Sequence, residues 1–269
     1  MRRTKTFADK AIWITGASSG IGEAVAYRLA QEGARLILTA RRADACEEVA
    51  ARCKALGAKG VVTLPFDLAQ AEGLEDLARQ AWEAFGGVDV LFNNAGVSQR
   101  ATAVETEMRV MRQVMEVDYF APVALAKALL PRMMARGGGH LAVTTSITGH
   151  FGFPLRCAYS SAKHALYGFF ETVAAECHDQ GIRVTFVCPG RVRTRVSLNA
   201  LGGDGSTHGQ MDAGQAGGVS AGRAARKIVR ALRRQRRETL VGGMELLTVP
   251  IKRFLPALSA WIARRARPT

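Results

Sequence analysis

The stretch Thr15-Gly16-Ala17-Ser18-Ser19-Gly20-Ile21-Gly22 follows an apolar run, Ala11–Thr15, and opens a segment with helical periodicity. Its three glycines have the spacing G-x-x-x-G-x-G. A turn of this kind brings backbone N–H groups and a helix start against a pyrophosphate, since glycine carries no Cβ to obstruct it. An ordinary tight turn is the alternative. The position between strand and helix favours a dinucleotide site that includes Gly16, Ser18, Ser19, Gly20, Ile21 and Gly22.

Strand-like apolar runs alternate with helix-like segments along most of the chain. The runs cover residues 11–15, 35–40, 60–65, 88–93, 141–146, 182–188 and 239–241. The helical segments cover residues 20–32, 43–56, 72–85, 104–136, 158–179 and 221–234. Continuously apolar strands are those that helices cover on both faces, and right-handed crossovers join them in parallel. We expect an α/β fold, a single-domain doubly wound parallel sheet (Rossmann fold) with helices on both faces.

Two segments depart from this alternation. Residues 195–218 are rich in glycine and are expected to form a substrate lid within a catalytic domain of residues 1–243. Residues 244–269 form a basic, apolar C-terminal tail. Pro250 and Pro256 interrupt its helical spacing, so short or broken helices are expected there.

The charge distribution argues against nucleic acid as a partner. The net charge is +14, but 13 of the 37 Lys and Arg residues lie at or beyond Arg223, against two acids. A nearly neutral body with a basic tail differs from a uniformly basic nucleic-acid binder. The tail could contact an anionic membrane surface, or its apolar face could cover the substrate cleft or a partner subunit.

Cysteine and histidine usage argues against disulfides and metal ions. The five cysteines include no C-x-x-C pair, and the five histidines show no ligand spacing. No signal peptide is recognised, and no run of about 18 apolar residues occurs. These features predict a protein of the cytoplasm, unless the tail associates it with a membrane, and no metal site.

The end of the second strand bears on the choice of cofactor. It reads Thr39-Ala40-Arg41-Arg42, with no carboxylate where sites selective for NAD bind the ribose 2′-hydroxyl. An arginine suits a 2′-phosphate because its guanidinium donates two charge-assisted hydrogen bonds. Arg41 and Arg42 therefore predict NADP(H), although they could simply be a solvated pair at the start of the next helix.

Tyr159 and Lys163 are four residues apart and share one helical face. An ammonium group beside a phenol stabilises the phenolate and should lower the pKa of Tyr159 towards neutrality. Ser146 follows a strand at the edge where open α/β sheets place their sites, and its hydroxyl could hold a substrate oxygen. On its own, a Tyr–Lys pair at this spacing is usually a surface feature.

Together, these motifs resemble the short-chain dehydrogenase/reductase family. The matching elements also include Asp67, the run Asn93-Asn94-Ala95-Gly96 and the pair Pro189-Gly190, in the family's order over residues 11–194. The resemblance implies that Asn94, Ala95 and Gly96 line the cofactor and that Asp67 hydrogen-bonds its adenine. It implies that the backbone from Pro189 and Gly190 through Val192, with Thr194, faces the nicotinamide amide. It also implies a homodimer or homotetramer, formed through the long helices near 104–136 and 158–179.

Asp118 departs from the family's catalytic pattern, which usually has asparagine at this position. In the family, the main-chain carbonyl of that residue holds a water on the lysine, and aspartate still supplies a carbonyl. Its carboxylate could add negative charge near Lys163 or be turned away into another hydrogen bond.

A closer likeness concerns the branch that contains family member 7B and its 11β-hydroxysteroid dehydrogenase relatives. It rests on residues 118–123, 197–200 and 204–206. It implies a bulky apolar substrate such as a steroid, a retinoid or a lipid carbonyl. The expected protein is an NADP(H)-dependent oxidoreductase that moves a hydride between the nicotinamide and a small-molecule carbonyl or alcohol. The alternative is a catalytically idle dinucleotide-binding sensor or scaffold.

Overall fold

Strands and helices alternate in the computed structural model, which describes residues 7–266. The strands are β1 Ala11–Thr15, β2 Arg35–Thr39, β3 Gly60–Thr63, β4 Val90–Asn93, β5 Gly139–Thr144, β6 Ile182–Pro189, β7 Val192–Arg193, β8 Val219–Ser220 and β9 Glu238–Val241. The helices are α1 Gly20–Ala30, α2 Ala43–Ala55, α3 Leu74–Glu83, α4 Met108–Met115, α5 Ala121–Ala135, α6 Cys157–Glu176, α7 Ala213–Ala216, α8 Ala221–Arg233, α9 Thr248–Phe254 and α10 Pro256–Arg265.

Seven of these strands form one parallel sheet in the order β3-β2-β1-β4-β5-β6-β9. The chain builds outwards from β1 to β3, then returns to place β4 on the other side of β1. The predicted doubly wound α/β fold is therefore confirmed. In such sheets ligands bind beyond the carboxyl ends of the strands at this reversal, between β1 and β4.

The sheet is buried on both faces because alternate side chains of each strand enter different cores. On one face, Ile12 and Leu36 pack with helices α1, α2 and α8. On the other face, Trp13 and Leu91 pack with α3, α5 and α6. This arrangement explains why β1 and β2 are apolar at nearly every position instead of alternating with polar residues.

The predicted helix over residues 104–136 is wrong at its start and in its regularity. The helix begins at Met108 and is interrupted by a π-helical turn, Glu116–Phe120, between α4 and α5. Glu105 accepts hydrogen bonds from the backbone N–H of Thr102 (3.2 Å) and from its hydroxyl (2.7 Å). These contacts hold the preceding residues in a turn, so their helical spacing is overridden.

Residues 195–218 run from β7 to β8 across the carboxyl edge of the sheet and contain the short helix α7. Leu201 of this segment forms bridges with Gln99 and Thr207. The segment is therefore held against the loop that follows β4.

The C-terminal tail contains the short helices α9 and α10, which meet at Leu255. Pro256 is the first residue of α10, so the predicted interruption at this proline is confirmed, whereas Pro250 is the third residue of α9 and does not interrupt it. Phe254 is 73% exposed and Trp261 is 48% exposed. Within residues 7–266 no helix is both long and apolar enough to cross a membrane. The remaining residues of the predicted domain and tail, 1–6 and 267–269, lie outside the described part.

Candidate active site

The glycine turn between β1 and α1 has the backbone geometry that a phosphate cradle requires. Gly16 and Gly20 both have φ of +64°. A Cβ at Gly16 would lie 2.7 Å from Ala95 Cα, closer than real contacts allow. Ser19 precedes α1 in extended conformation without capping it through its side chain. The Ser19 side chain therefore leaves the N–H groups of the first helical turn uncapped, which suits a pyrophosphate.

Asn94 ties the carboxyl ends of three strands together beneath this turn. Its Nδ2 donates to Thr15 O at 3.1 Å, and Thr144 Oγ1 donates to its Oδ1 at 3.2 Å. Thr15 Oγ1 accepts from the backbone N–H of Asn94 and of Ala95. Gly96 comes next and passes close to Asp118, where a Cβ would lie 3.2 Å from Oδ2. The structure thus brings the predicted cofactor residues of β1 and β4 into one surface.

Arg41, Arg42 and Asp67 lie along the same edge, beyond β2 and β3. Both arginines are exposed, and Arg42 immediately precedes α2. Within the described residues neither arginine has an ion-pair partner. Asp67 Oδ1 accepts from Ala69 N at 3.1 Å, which fixes the turn after β3. These positions extend the surface away from the glycine turn, as an adenosine moiety would require.

The loop after β6 closes the other side of the cradle. Gly190 N donates to Val241 O at 2.8 Å, which holds the loop against β9. Val192 is buried, and Thr194 packs so close to the glycine turn that a Cβ at Gly20 would lie 3.0 Å from Thr194 Cγ2. Glu245 also fixes the loop by accepting from Arg191 N at 2.7 Å, a role that its place in the tail sequence did not suggest.

Ser146, Tyr159 and Lys163 converge beyond β5 and at the start of α6. Lys163 is 2% exposed, donates from Nζ to Thr144 O at 3.0 Å, and lies 5.5 Å from the centre of the Tyr159 ring. Ser146 Oγ accepts from Thr148 N at 3.2 Å, which fixes the serine side chain. A phenol, a hydroxyl and an ammonium group therefore face one another at the predicted edge of the sheet.

Asp118 points its carboxylate at Lys163. Its Oδ2 lies 3.1 Å from Lys163 Nζ, and its Oδ1 accepts from Val97 N at 2.7 Å. Both side chains are almost completely buried. Of the two orientations considered from the sequence, the structure has the one that adds negative charge beside the lysine.

Lys163 lowers the pKa of Tyr159, as expected from the sequence, but it does not bring that pKa below its usual value in the chain as described. Burial raises that pKa most strongly, and the Asp118 carboxylate raises it further. Lys163, a hydrogen bond from Ser146 and the charge of Arg100 oppose this without overcoming it. Burial also raises the pKa of Asp118, against the influence of Lys163 and the Val97 N–H. The proton affinity of Tyr159 is thus set by burial together with several charged groups, and not by Lys163 alone.

A second polar cluster lies nearby and was not recognised from the sequence. Tyr167 Oη donates to Glu238 Oε1 at 2.6 Å and contacts His150 Nε2 at 2.8 Å. Cys188 completes a group whose nitrogen, sulfur and carboxylate oxygen atoms lie within 4.8 Å of one another. Four separate elements supply these residues, so spacing along the chain could not reveal the group.

Replacing Asp118 by asparagine tests the charge balance at Tyr159. We expect Asp118→Asn to lower the pKa of Tyr159 by about one unit, because a carboxylate that raises it is removed. NMR titration of Cζ-labelled tyrosine would measure the change among the four tyrosines of the chain. Tyr159→Phe assigns the signal, and an unchanged pKa in the asparagine variant would contradict this account.

Comparison with protein families assigns the chain more closely. A family model described as short chain dehydrogenase matches residues 10–201, well over half of the chain. The Drosophila melanogaster dehydrogenase/reductase SDR family protein 7-like is 39% identical over 262 residues, covering 96% of this chain and 80% of that protein. Dehydrogenase/reductase SDR family member 7B of Bos taurus is 41% identical over 261 residues, covering 94% and 80%.

Solved structures with the same fold hold different cofactors. A short-chain dehydrogenase/reductase from Burkholderia phymatum, in complex with NAD, matches with a TM-score of 0.82 and 25% identity over 98% of each chain. A Beutenbergia cavernae protein assigned as an NAD(P)-dependent gluconate 5-dehydrogenase, with NADP at low occupancy, matches with a TM-score of 0.69 and 32% identity. That match covers 72% of this chain and 76% of the other.

Proposed function

The chain belongs to the short-chain dehydrogenase family, in the branch of member 7B, and from that premise we propose that it is an NADP(H)-dependent oxidoreductase that interconverts a carbonyl and an alcohol. The observation that carries the proposal is the convergence of Ser146, Tyr159 and Lys163 beside the glycine turn. A dinucleotide-binding sensor or scaffold would need the turn but would have no use for the buried lysine and its partners. The catalytic interpretation is therefore favoured over the idle one.

Each catalytic side chain has a defined task in this proposal. NADPH, when bound, supplies the hydride that reaches the carbonyl carbon. Tyr159 donates its phenolic proton to the carbonyl oxygen as the alcohol forms, and Ser146 donates a hydrogen bond to that oxygen. Lys163 stabilises the resulting phenolate, while Thr144 O and Asp118 hold the ammonium group in place. The oxidation of an alcohol uses the same groups in reverse.

Removing the phenolic hydroxyl tests the acid–base assignment. Tyr159→Phe should lower kcat by about 10²–10⁴-fold while cofactor binding is retained, since a positioned acid contributes that much to a proton transfer. NADPH oxidation with a panel of ketones and aldehydes measures turnover, and NADPH fluorescence measures binding. Tyr119→Phe is the matched control, because Tyr119 packs against Phe120. More than half of the wild-type kcat in Tyr159→Phe would refute the assignment.

The preference for NADP(H) is supported by the end of β2. Arg41 and Arg42 are exposed there, and the run from Thr39 to Arg42 offers no carboxylate to a ribose 2′-hydroxyl. Their guanidinium groups would pair with a 2′-phosphate in the geometry that arginine favours. The related structures hold either NAD or NADP, so these side chains carry this part of the proposal.

Arg41→Ala should weaken the binding of NADPH selectively. A charge-assisted hydrogen bond is worth about 1.5–3 kcal/mol, which corresponds to a rise of roughly 10–150-fold in the Kd of NADPH. The Kd of NADH should change little. Fluorescence titration with both cofactors measures the difference, and Arg28→Ala on the exposed side of α1 serves as the control. Equal losses for both cofactors would show that Arg41 does not contact the 2′-phosphate.

We further propose a bulky apolar carbonyl or alcohol as substrate, with residues 195–218 as its lid in a domain that extends to residue 243. The substrate class follows from the likeness to the member 7B branch. A groove of about 590 Å³ lies beside the first turns of α6, and its walls combine Phe153, Pro154 and Cys157 with Ser160, Ser161 and His164. The protein is proposed to act in the cytoplasm as a homodimer or homotetramer, with α4, α5 and α6 as the pairing surface.

We propose that either a partner subunit or a membrane surface covers the C-terminal tail when the protein is active. Its exposed apolar side chains include Leu247, Phe254, Leu258 and Trp261, and Lys252, Arg253, Arg264 and Arg265 lie among them. A partner subunit would bury the apolar side chains, whereas an anionic membrane surface would also neutralise the basic ones. Arg267 belongs to the same predicted face but lies outside the described residues.

Liposome sedimentation distinguishes a membrane surface from a partner subunit as the binding partner of the tail. If an anionic membrane is the partner, the full chain should pellet with phosphatidylserine vesicles at low salt and be released by high salt. A variant that ends at Gly243 should stay in the supernatant, provided that circular dichroism shows it to be folded. Pelleting by neither protein, together with loss of the oligomer in the shortened chain, would assign the tail to a subunit interface.

A further inference from the structure

A single carboxylate connects the segment 195–218 to the start of the catalytic helix. Asp212 Oδ2 lies 2.6 Å from Arg100 Nη2 and 3.0 Å from Arg156 Nη2. The Asp212 side chain is 6% exposed, that of Arg100 is 4% exposed and that of Arg156 is 13% exposed. These three groups, the Asp212 cluster, form a buried ionic contact between parts of the chain that are distant in sequence.

Each arginine lies next to a strand or helix whose end carries proposed active-site residues. Arg100 follows β4, and its Nη1 donates to Ser98 Oγ and to Gln99 O, both at 2.7 Å. Arg156 immediately precedes α6, three residues before Tyr159. Asp212 itself precedes α7, on the proposed lid. The cluster therefore joins the lid to the two segments that flank Tyr159.

Asp212 lowers the net charge of the cluster from +2 to +1. Arg156 and Arg100 repel each other, and burial together with that repulsion lowers the pKa of Arg156 to about 10. Among residues 7–266, Asp212 is the only acidic residue that pairs with Arg100 or Arg156 within 4.0 Å. Two buried cations left without a carboxylate would be strongly destabilising. The lid thus has one preferred resting place, where Asp212 meets both guanidinium groups.

Resting on the proposed function, we propose that Asp212 is a positioning residue whose carboxylate docks the lid on Arg100 and Arg156, so that lid closure also sets the charge beside Tyr159. With the lid docked, the carboxylate offsets part of the positive charge near the phenol. Arg156 lies three residues before Tyr159, and Gln99, next to Arg100, accepts from Ala158 N at 3.0 Å, so both arginines belong to segments beside the phenol. With the lid withdrawn, their charges lose the carboxylate of Asp212 and favour the phenolate of Tyr159. Docking therefore favours the protonated tyrosine, the form that reduction requires.

The remaining charged groups near this contact are few. His208 Nε2 lies 3.9 Å from Asp212 Oδ1 and belongs to the same lid segment. Lys163 and Asp118 face Tyr159 from α6 and from the π-helical turn, and they pair with each other. Among the described residues, a change at Asp212 therefore acts on Tyr159 mainly through Arg100 and Arg156, and His208 is the titratable group of the lid segment to be followed.

The test uses Asp212→Asn, which removes the charge but keeps the shape, and Asp212→Glu, which keeps the charge. In Asp212→Asn we expect KM for the carbonyl substrate to rise about tenfold or more, since the lid loses its ionic contact. The basic limb of the kcat/KM profile should move about 0.5–1 unit to lower pH, because removing a negative charge stabilises the phenolate. Asp212→Glu should restore at least the position of that limb.

Asp204→Asn is the matched control, because Asp204 lies exposed on the same segment and accepts hydrogen bonds from Ser206. It should move neither KM nor the pH profile. The proposal is overturned if Asp212→Asn, shown by circular dichroism and NADPH binding to be folded, keeps the wild-type profile, or if Asp204→Asn has the same effect. A fall in melting temperature without a shift of the profile would also overturn it, leaving a purely structural contact. Full activity in Tyr159→Phe would refute the proposed function separately.

Discussion

The close passage of the backbone at Gly16 past Ala95 is the constraint on which the rest of the site depends. It occurs where the chain reverses, between β1 and β4, and it leaves no room for a side chain. Asn94 fixes it by donating two hydrogen bonds to Thr15, from its backbone N–H and from its side-chain amide, between the two strand ends. The cradle on one side and the catalytic residues after β5 on the other are both placed relative to this contact. A fold of this kind holds its functional groups on rigid strand ends, so small loops can vary without disturbing them.

The pKa of Tyr159 is set by several opposing influences rather than by Lys163 alone. A buried lysine is usually the feature that makes a nearby tyrosine acidic, but here Asp118 shares the charge of Lys163. The arginine at position 100 then becomes a second source of positive charge near Tyr159. Because all these groups are buried, each exerts its influence with little solvent screening. Residues outside the usual catalytic set therefore take part in setting the proton affinity of the phenol.

Features encoded locally in the sequence were predicted well. The order of strands and helices, the glycine turn and the Tyr159–Lys163 pair each depend on periodicity or on short spacings. Features that depend on distant residues were not. Asp212 meets Arg100 across 112 positions, and Glu238 meets Tyr167 across 71. No spacing rule connects such residues, and the pKa of Tyr159 follows from burial that only the folded chain reveals. The start of α4 was misjudged because the Thr102–Glu105 contact competes with helical periodicity.

The strand order also governs how the chain emerges during synthesis. β1, β2 and β3 are made first and pair with one another, but the other edge of β1 waits for β4, which begins about eighty residues after β1. Until then one edge of β1 has unpaired backbone groups. Edges of this kind recruit other strands, and contacts distant in sequence form slowly. The pairing of the central strand is thus completed only by residues that are translated about eighty positions later.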